Sequence, residues 1–117
     1  MQARFIRFGE LEIDGRRYRE DVVIENGTVR TREKSASRAR KAQYGHTPLS
    51  EEESIPWSCK RLIVGTGANG RLPITPELHQ AAERNGVELV AVPTEEACRL
   101  LNEADLREVN AVLHLTC

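Results

Sequence analysis

The chain reads as a single α/β domain in which antiparallel N-terminal hairpins lead into a β-α-β-α-β unit, and three observations predict it. The turn pairs Asp14-Gly15 and Asn26-Gly27 each join short runs of extended character, and both residues of such a pair tolerate positive φ. The run Leu62-Ile63-Val64-Gly65-Thr66-Gly67-Ala68-Asn69-Gly70-Arg71 ends an apolar strand in a loop spaced G-x-G-x-x-G, and a helix start follows at Thr75-Pro76-Glu77. Beyond it, two more apolar strands alternate with a second capped helix. Such a unit winds right-handed and sets its strands parallel, with helices covering them.

In chain order, Gly9 to Ile13 alternates, Asp14-Gly15 turns, and Tyr18 to Ile24 resumes an extended pattern that ends in the β-branched Val22-Val23-Ile24. After Asn26-Gly27, residues 28–32 return as a strand, with Val29 set against Arg30 and Arg32. These hairpins are expected to extend or cap the parallel part, which makes the sheet mixed. Residues 33–50 carry small, polar and basic side chains over most of their length, and a mobile loop or frayed helix is expected there. Leu49 to Ile55 offers a short helix with Ser50 as N-cap and Glu53 at the third helical position, ended by Pro56.

The second half is patterned more strongly. Leu62–Val64 is a strand. Pro76 to Asn85 is a helix with Thr75 as cap, Pro76 at the first helical position and Gly86 as terminator. Val87–Val92 is the next strand. Pro93-Thr94-Glu95-Glu96 opens a helix to about Asp105 with Ala97, Leu100, Leu101 and Ala104 inward, and Val109–Leu115 is the last strand.

At 117 residues the chain supports one core, so one domain spans 1–117. A net charge of −1 disfavours a protein built mainly to hold nucleic acid. The charge is uneven: residues 1–60 hold 12 Lys/Arg against 10 Asp/Glu, and residues 61–117 hold 5 against 8. No apolar run reaches the length of a membrane span, and residues 1–7 lack a signal-peptide core. Three widely spaced cysteines, Cys59, Cys98 and Cys117, with no C-x-x-C, agree with a cytoplasmic chain.

With this order in place, particular stretches resemble a small single-domain family. They are Asp21-Val22-Val23-Ile24, His46-Thr47-Pro48, Leu62 to Gly67, Gly70-Arg71-Leu72, Gly86-Val87-Glu88-Leu89, Pro93 to Ala97, Asn102-Glu103 and Ala111 to Cys117. The family includes the adipogenesis-associated domain protein of animals, and a related branch holds mitochondrial complex I assembly factors. The resemblance implies a compact three-layer domain with a mixed, about five-stranded sheet. It implies no established enzymatic activity, and it implies association with other proteins as an assembly or regulatory factor. This chain departs from the family in lacking an aromatic across Val29-Arg30-Thr31-Arg32 and in carrying Leu101 before Asn102.

The glycine loop is the first candidate for chemistry. Glycines permit a sharp turn and leave amide N–H groups uncovered for a phosphate or carboxylate. A plain tight turn between strand and helix explains the same residues. A dinucleotide fingerprint fits poorly, because Pro73 and the start at Thr75-Pro76 delay the helix that should begin inside the motif. The carboxyl ends of parallel strands are where open α/β sheets place ligands, so Thr66, Thr94 and His114 are expected to meet there. The candidate ligand-binding residues are Gly65, Thr66, Gly67, Asn69, Gly70, Arg71, Thr94 and His114.

His114 and Cys117 suggest a dyad or metal pair, but residues three apart on a strand face opposite ways, so no catalytic residue and no metal is assigned. His114 is placed at the edge of the sheet near the loop, Cys117 as buried, and His46 as a solvated loop histidine. Glu51-Glu52-Glu53 reads as a solvated helix start. Arg30, Arg32, Lys34, Arg38, Arg40 and Lys41 read first as a solvated loop, then as a protein-docking segment, and last as a nucleic-acid contact, since Tyr44 is the only nearby ring.

Two functions therefore compete. One is protein association without catalysis, with no cofactor and an unidentified protein partner. The other is binding of a small molecule or anion, or an enzyme activity, using Gly65–Gly70 and His114. An assembly factor should show an exposed apolar patch or an ordered basic loop, and a ligand binder a concave site.

Overall fold

In the computed structural model, which describes residues 1–117, eight strands and three helices form two sheets. β1 (Ala3–Arg7), β2 (Glu10–Ile13) and β3 (Arg16–Tyr18) make a small antiparallel sheet in that order. β4 (Val22–Glu25) and β5 (Thr28–Thr31) form a second hairpin. After a 3₁₀ turn (Ser35–Arg40) and a one-turn helix α1 (Lys41–Tyr44) come β6 (Arg61–Thr66), α2 (Pro76–Arg84), β7 (Glu88–Val92), α3 (Thr94–Glu103) and β8 (Val109–His114). The main sheet runs β5-β4-β8-β6-β7, with β6, β7 and β8 parallel and β4 antiparallel to both neighbours. The expected mixed five-stranded sheet is present.

Both turn pairs behave as their residues dictate. Asp14 and Gly15 take φ of 51° and 85°, and Asn26 and Gly27 take 52° and 77°. Two successive positive φ values give the turn whose twist matches the hairpin strands. The extended run through Tyr18 to Ile24 does not stay in one strand. It breaks at Arg19–Asp21, so the first hairpin forms its own sheet while the second extends the main one.

The main sheet is buried on both faces, as a parallel sheet with crossovers requires. Val22, Ile24, Ile63, Ala111 and Leu113 face one side and pack with Leu11 and Ile13 of the small sheet and with Ala97, Cys98 and Leu101 of α3. Val23, Leu62, Val64 and Val112 face the other side and pack with Leu49, Leu72, Leu78 of α2 and Val87. Side-chain alternation along each strand sorts these residues into the two layers. Asn102 fastens the small sheet to α3 by bonding the main chain of Ala3 twice, at 2.6 and 2.9 Å.

α2 follows its sequence signals closely. Thr75 Oγ1 accepts the Leu78 amide at 3.2 Å, Pro76 occupies the first helical position, and Gly86 takes φ of 66° after the end. α3 starts at Thr94, and its buried face is Ala97, Cys98 and Leu101, with Leu100 and Ala104 half-buried.

One expectation fails between residues 33 and 56, and of the two readings of the basic segment the helical one is closer. The basic segment is folded into the 3₁₀ turn and α1, which ends at Gly45 with φ of 79°. Leu49 to Ile55 forms no helix. Leu49 instead bridges to Ile74, and Ser50 and Glu53 are buried within turns. The cause is electrostatic and lies at the ends of the strands.

Candidate functional site

The main sheet places the carboxyl ends of β6, β7 and β8 on one side, and β8 is the third of five strands. His114 therefore lies at the C-terminal end of the central strand, not at a sheet edge. Its Nδ1 is 2.7 Å from Asp21 Oδ2, in the residue just before β4. Asp21 is an ionised acceptor, so Nδ1 carries the proton; Nε2 lies 3.2 Å from Thr116 Oγ1. Asp21 also accepts the Leu115 amide at 2.9 Å through Oδ1 and Arg32 Nη1 at 2.9 Å through Oδ2.

Arg32 is the hub of this knot, with a side chain only 1% exposed. Its Nε and Nη2 donate to the two oxygens of Glu53 at 2.8 Å each, a bidentate fork, and Nη2 also donates to the Pro48 carbonyl at 3.0 Å. Ser37 Oγ donates to Glu53 at 2.5 Å and lies 2.6 Å from Ser50 Oγ. No buried side-chain polar atom lacks a partner. Burial alone pushes the Asp21 carboxyl up, but the His114 ring, the Leu115 amide and Arg32 outweigh it and hold it below the usual carboxylate range. Burial likewise pulls Arg32 down, and Glu53 and Asp21 outweigh it and raise the guanidinium.

This knot corrects two sequence readings: Glu53 is not a solvated helix start, and Arg32 is not a solvated loop arginine. It also bonds residues 33–50 to the body through Ser37, Pro48 and Ser50. Arg40 adds a second fastening outside, pairing with Glu51, Glu52 and Glu77. Sequence reasoning missed Asp21, Arg32, Ser37 and Glu53 as a group. One signal was available: an aspartate directly before the fully apolar run Val22-Val23-Ile24 must find a partner or stay at the rim.

The glycine loop is engaged by the chain itself. The amides of Ala68, Asn69 and Arg71 donate to the main-chain oxygens of Thr116 and Cys117 at 2.9, 3.1 and 3.1 Å. Gly67 N donates to Thr94 Oγ1 at 2.9 Å, and Thr94 Oγ1 donates in turn to the His114 carbonyl at 2.5 Å. The amides expected to be uncovered thus hold residues 116–117 against β6 and α3. Gly67 has φ of 106°, and a Cβ there would collide with the Thr116 carbonyl and lie 2.6 Å from the Cys117 carbonyl carbon. At Gly65 a Cβ would meet Leu113 and Thr94 at 2.9 Å.

Of the candidate residues, Gly65, Thr66, Gly67 and Thr94 are buried in this junction, Asn69, Gly70 and Arg71 are exposed beyond it, and His114 joins the two sides. Cys117 is half-buried, and His46 is exposed as expected. Cys98 is buried under α3, where desolvation and Glu95 push its thiol up to about 12.

Two clefts open onto the knot. One, of about 330 Å³, is lined by Arg19, Glu20, Thr31, Glu33, Lys34 and Arg38 above Asp21 and Arg32. The other, of about 200 Å³, is lined by Lys34, Lys41, His46 and Thr47, with His114, Thr116 and Cys117 and the buried Arg32 completing it. Arg19, Lys34, Arg38 and Lys41 make no ion pair. No group of three His, Cys, Asp or Glu side chains is placed to hold a metal ion, and no helix is long and apolar enough to cross a membrane.

Fold and site together define a small mixed-sheet α/β domain whose strand ends are closed by a buried ion knot under a cationic rim. The chain belongs to the family described as a protein of unknown function (DUF498/DUF598), whose model matches residues 4–114. Among solved structures it is similar to the conserved hypothetical protein PH1505 from Pyrococcus horikoshii OT3, at 31% identity and a TM-score of 0.80 over all of both chains. It is also similar to a protein described as MT938, at 28% identity and a TM-score of 0.67, covering 98% of this chain and 99% of that one. An outer membrane protein from Bartonella henselae shares the fold at 14% identity and a TM-score of 0.61, covering 95% of this chain and 91% of that one. A search of the curated proteins returns no match.

Proposed function

We propose that this domain acts by protein association, as an assembly or regulatory factor that presents an ordered basic face to an acidic surface of its partner. The observation that carries the reading is the state of residues 33–41. They are folded down by Ser37 and Arg40, and Lys34, Arg38 and Lys41, with Arg19 nearby, form no ion pair, though Glu20 and Glu33 share the rim. Unpaired like charges held close together repel one another, and an acidic partner relieves that repulsion. A pre-folded segment also loses less conformational entropy on docking than a mobile one. Phe8 is the one large apolar side chain that is strongly exposed, so the charged face supports association better than an apolar patch does.

The test is affinity capture from a lysate of the source organism with the wild-type domain and an Arg19→Glu/Arg38→Glu double variant, at low and high salt. The reading predicts a partner that wild type retains at low salt and that both the variant and high salt release. A partner held equally by the variant, or none held by either protein, overturns it.

A further inference from the structure

The 200 Å³ cleft has a composition that the association reading does not require. It is lined by Arg32, Lys34, Lys41, His46, Thr47, His114, Thr116 and Cys117, with no acidic side chain among them. Of the acidic groups around it, Asp21 is committed to Arg32 and His114 and Glu53 to Arg32, while Glu33 lines the neighbouring cleft that Lys34 also reaches. Arg32 is therefore neutralised from behind, whereas Lys34 and Lys41 bring two positive charges with no counter-ion. The ligand that suits them is an anion. The lining also offers far more hydrogen-bond donors than acceptors, since ammonium groups only donate.

We propose that this cleft is a binding site for a phosphate group, free or as a small phosphomonoester. Donors come from separate parts of the chain: Lys34 ahead of the 3₁₀ turn, Lys41 on α1, and His46 and Thr47 after it. Convergence from several elements suits a tetrahedral dianion better than a flat carboxylate. Ligand pockets for larger molecules run to about 300–1,000 Å³ and are mostly apolar. This cleft is smaller and seven of its eight lining residues are polar or charged, so it is small for a nucleotide base.

The glycine loop has a defined part in this site without touching the ligand. Its amides hold the main-chain oxygens of Thr116 and Cys117, which fixes the two residues that close the cleft beside His114. Asp21 orients the His114 ring from the opposite side. The knot and the loop thus pre-set the lining, and ordering cost on binding falls mainly on the Lys34 and Lys41 stems.

The experiment is a titration of the 15N-labelled protein with sodium phosphate, followed by amide chemical shifts, with ionic strength held constant by sodium chloride. Glycerol 3-phosphate and malonate are parallel arms. The proposal predicts saturable shifts at Lys41, His46, Thr47 and Thr116. It predicts a dissociation constant at least about tenfold weaker in Lys41→Ala, the loss of one charge-assisted contact. His46→Ala, at an exposed position, weakens binding in the same direction without risk to the fold. Arg19→Glu/Arg38→Glu alters no residue lining this cleft and leaves saturable phosphate shifts in place, so partner release in that variant is read independently of phosphate, although both readings use Lys34 and Lys41. Tighter binding of glycerol 3-phosphate than of phosphate identifies a phosphomonoester as the occupant, and the reverse identifies the free ion. Malonate binding as tight as phosphate overturns the proposal. So do non-saturating shifts spread over all basic residues, or an unchanged constant in Lys41→Ala.

Discussion

Replacing Arg32 by alanine removes the cation that Asp21 and Glu53 share. In the folded protein its side chain makes four hydrogen bonds between 2.8 and 3.0 Å, three to carboxylate oxygens and one to the Pro48 carbonyl. The side chains of Arg32, Asp21 and Glu53 are 1%, 8% and 3% exposed, so water cannot take over these bonds without opening the structure. Deleting one partner of a buried pair leaves an uncompensated charge and costs about 3–5 kcal/mol. For a domain of this length that is a fall in Tm of about 12–20 °C. Thermal denaturation followed by circular dichroism at neutral pH reads it directly, and urea titration gives the same free energy independently. A fall of less than about 4 °C would refute the reasoning, because the knot would then be solvated and of little energetic weight. The triple variant Asp21→Asn/Arg32→Met/Glu53→Gln removes all three charges and should recover part of the loss, since the penalty comes from charges left unpaired.

Other consequences follow from the same geometry. Gly67→Ala should cost at least about 2 kcal/mol, because the new Cβ is both left-handed in φ and driven into residues 116–117, whereas Gly86→Ala, with open space around it, should cost about 1 kcal/mol; denaturant midpoints compare the two. The Asp21 carboxyl is held below its ordinary value of 3.8, so its stabilisation is fully present above about pH 5 and fades as pH falls through the lowered value. Tm measured from pH 6 downwards should therefore show the gap between wild type and Asp21→Asn narrowing on the acid side. A gap that stays constant with pH would show that the Asp21 charge adds nothing.

How much of this was legible in the sequence depended on whether the cause was local. α2 could be read residue by residue, since the Thr75 cap, Pro76 and Gly86 act within one turn of where they stand. Asp14-Gly15 and Asn26-Gly27 were legible for the same reason, because positive φ is a property of the residues themselves. Separation of the first hairpin into its own sheet was not, because Asn102 lies 99 residues from the Ala3 main chain that it holds.

Residues 33–56 show the limit most clearly. Small polar and basic side chains argue for a loose loop when each is weighed alone. They order because Arg32 finds Asp21 11 positions before it and Glu53 21 positions after it, and Asp21 in turn finds His114 93 positions away. The candidate site was legible in outline, as the carboxyl ends of the parallel strands with His114 among them. Its lining was not, because the glycine loop turned out to grip the chain's own main-chain oxygens, leaving Lys34, Lys41 and His46 to line the cleft.

One buried ion knot fastens residues 33–50 and 115–117 over the strand ends. Native-state amide hydrogen exchange on wild type and Arg32→Ala tests it most directly. The amides of Leu49 and Leu115, bonded to Pro73 and to Asp21, should be strongly protected in wild type. In the variant both should lose protection together, beyond any change at β6 or α2. Fast exchange of both amides in wild type, or equal loss across the whole domain in the variant, would contradict the account.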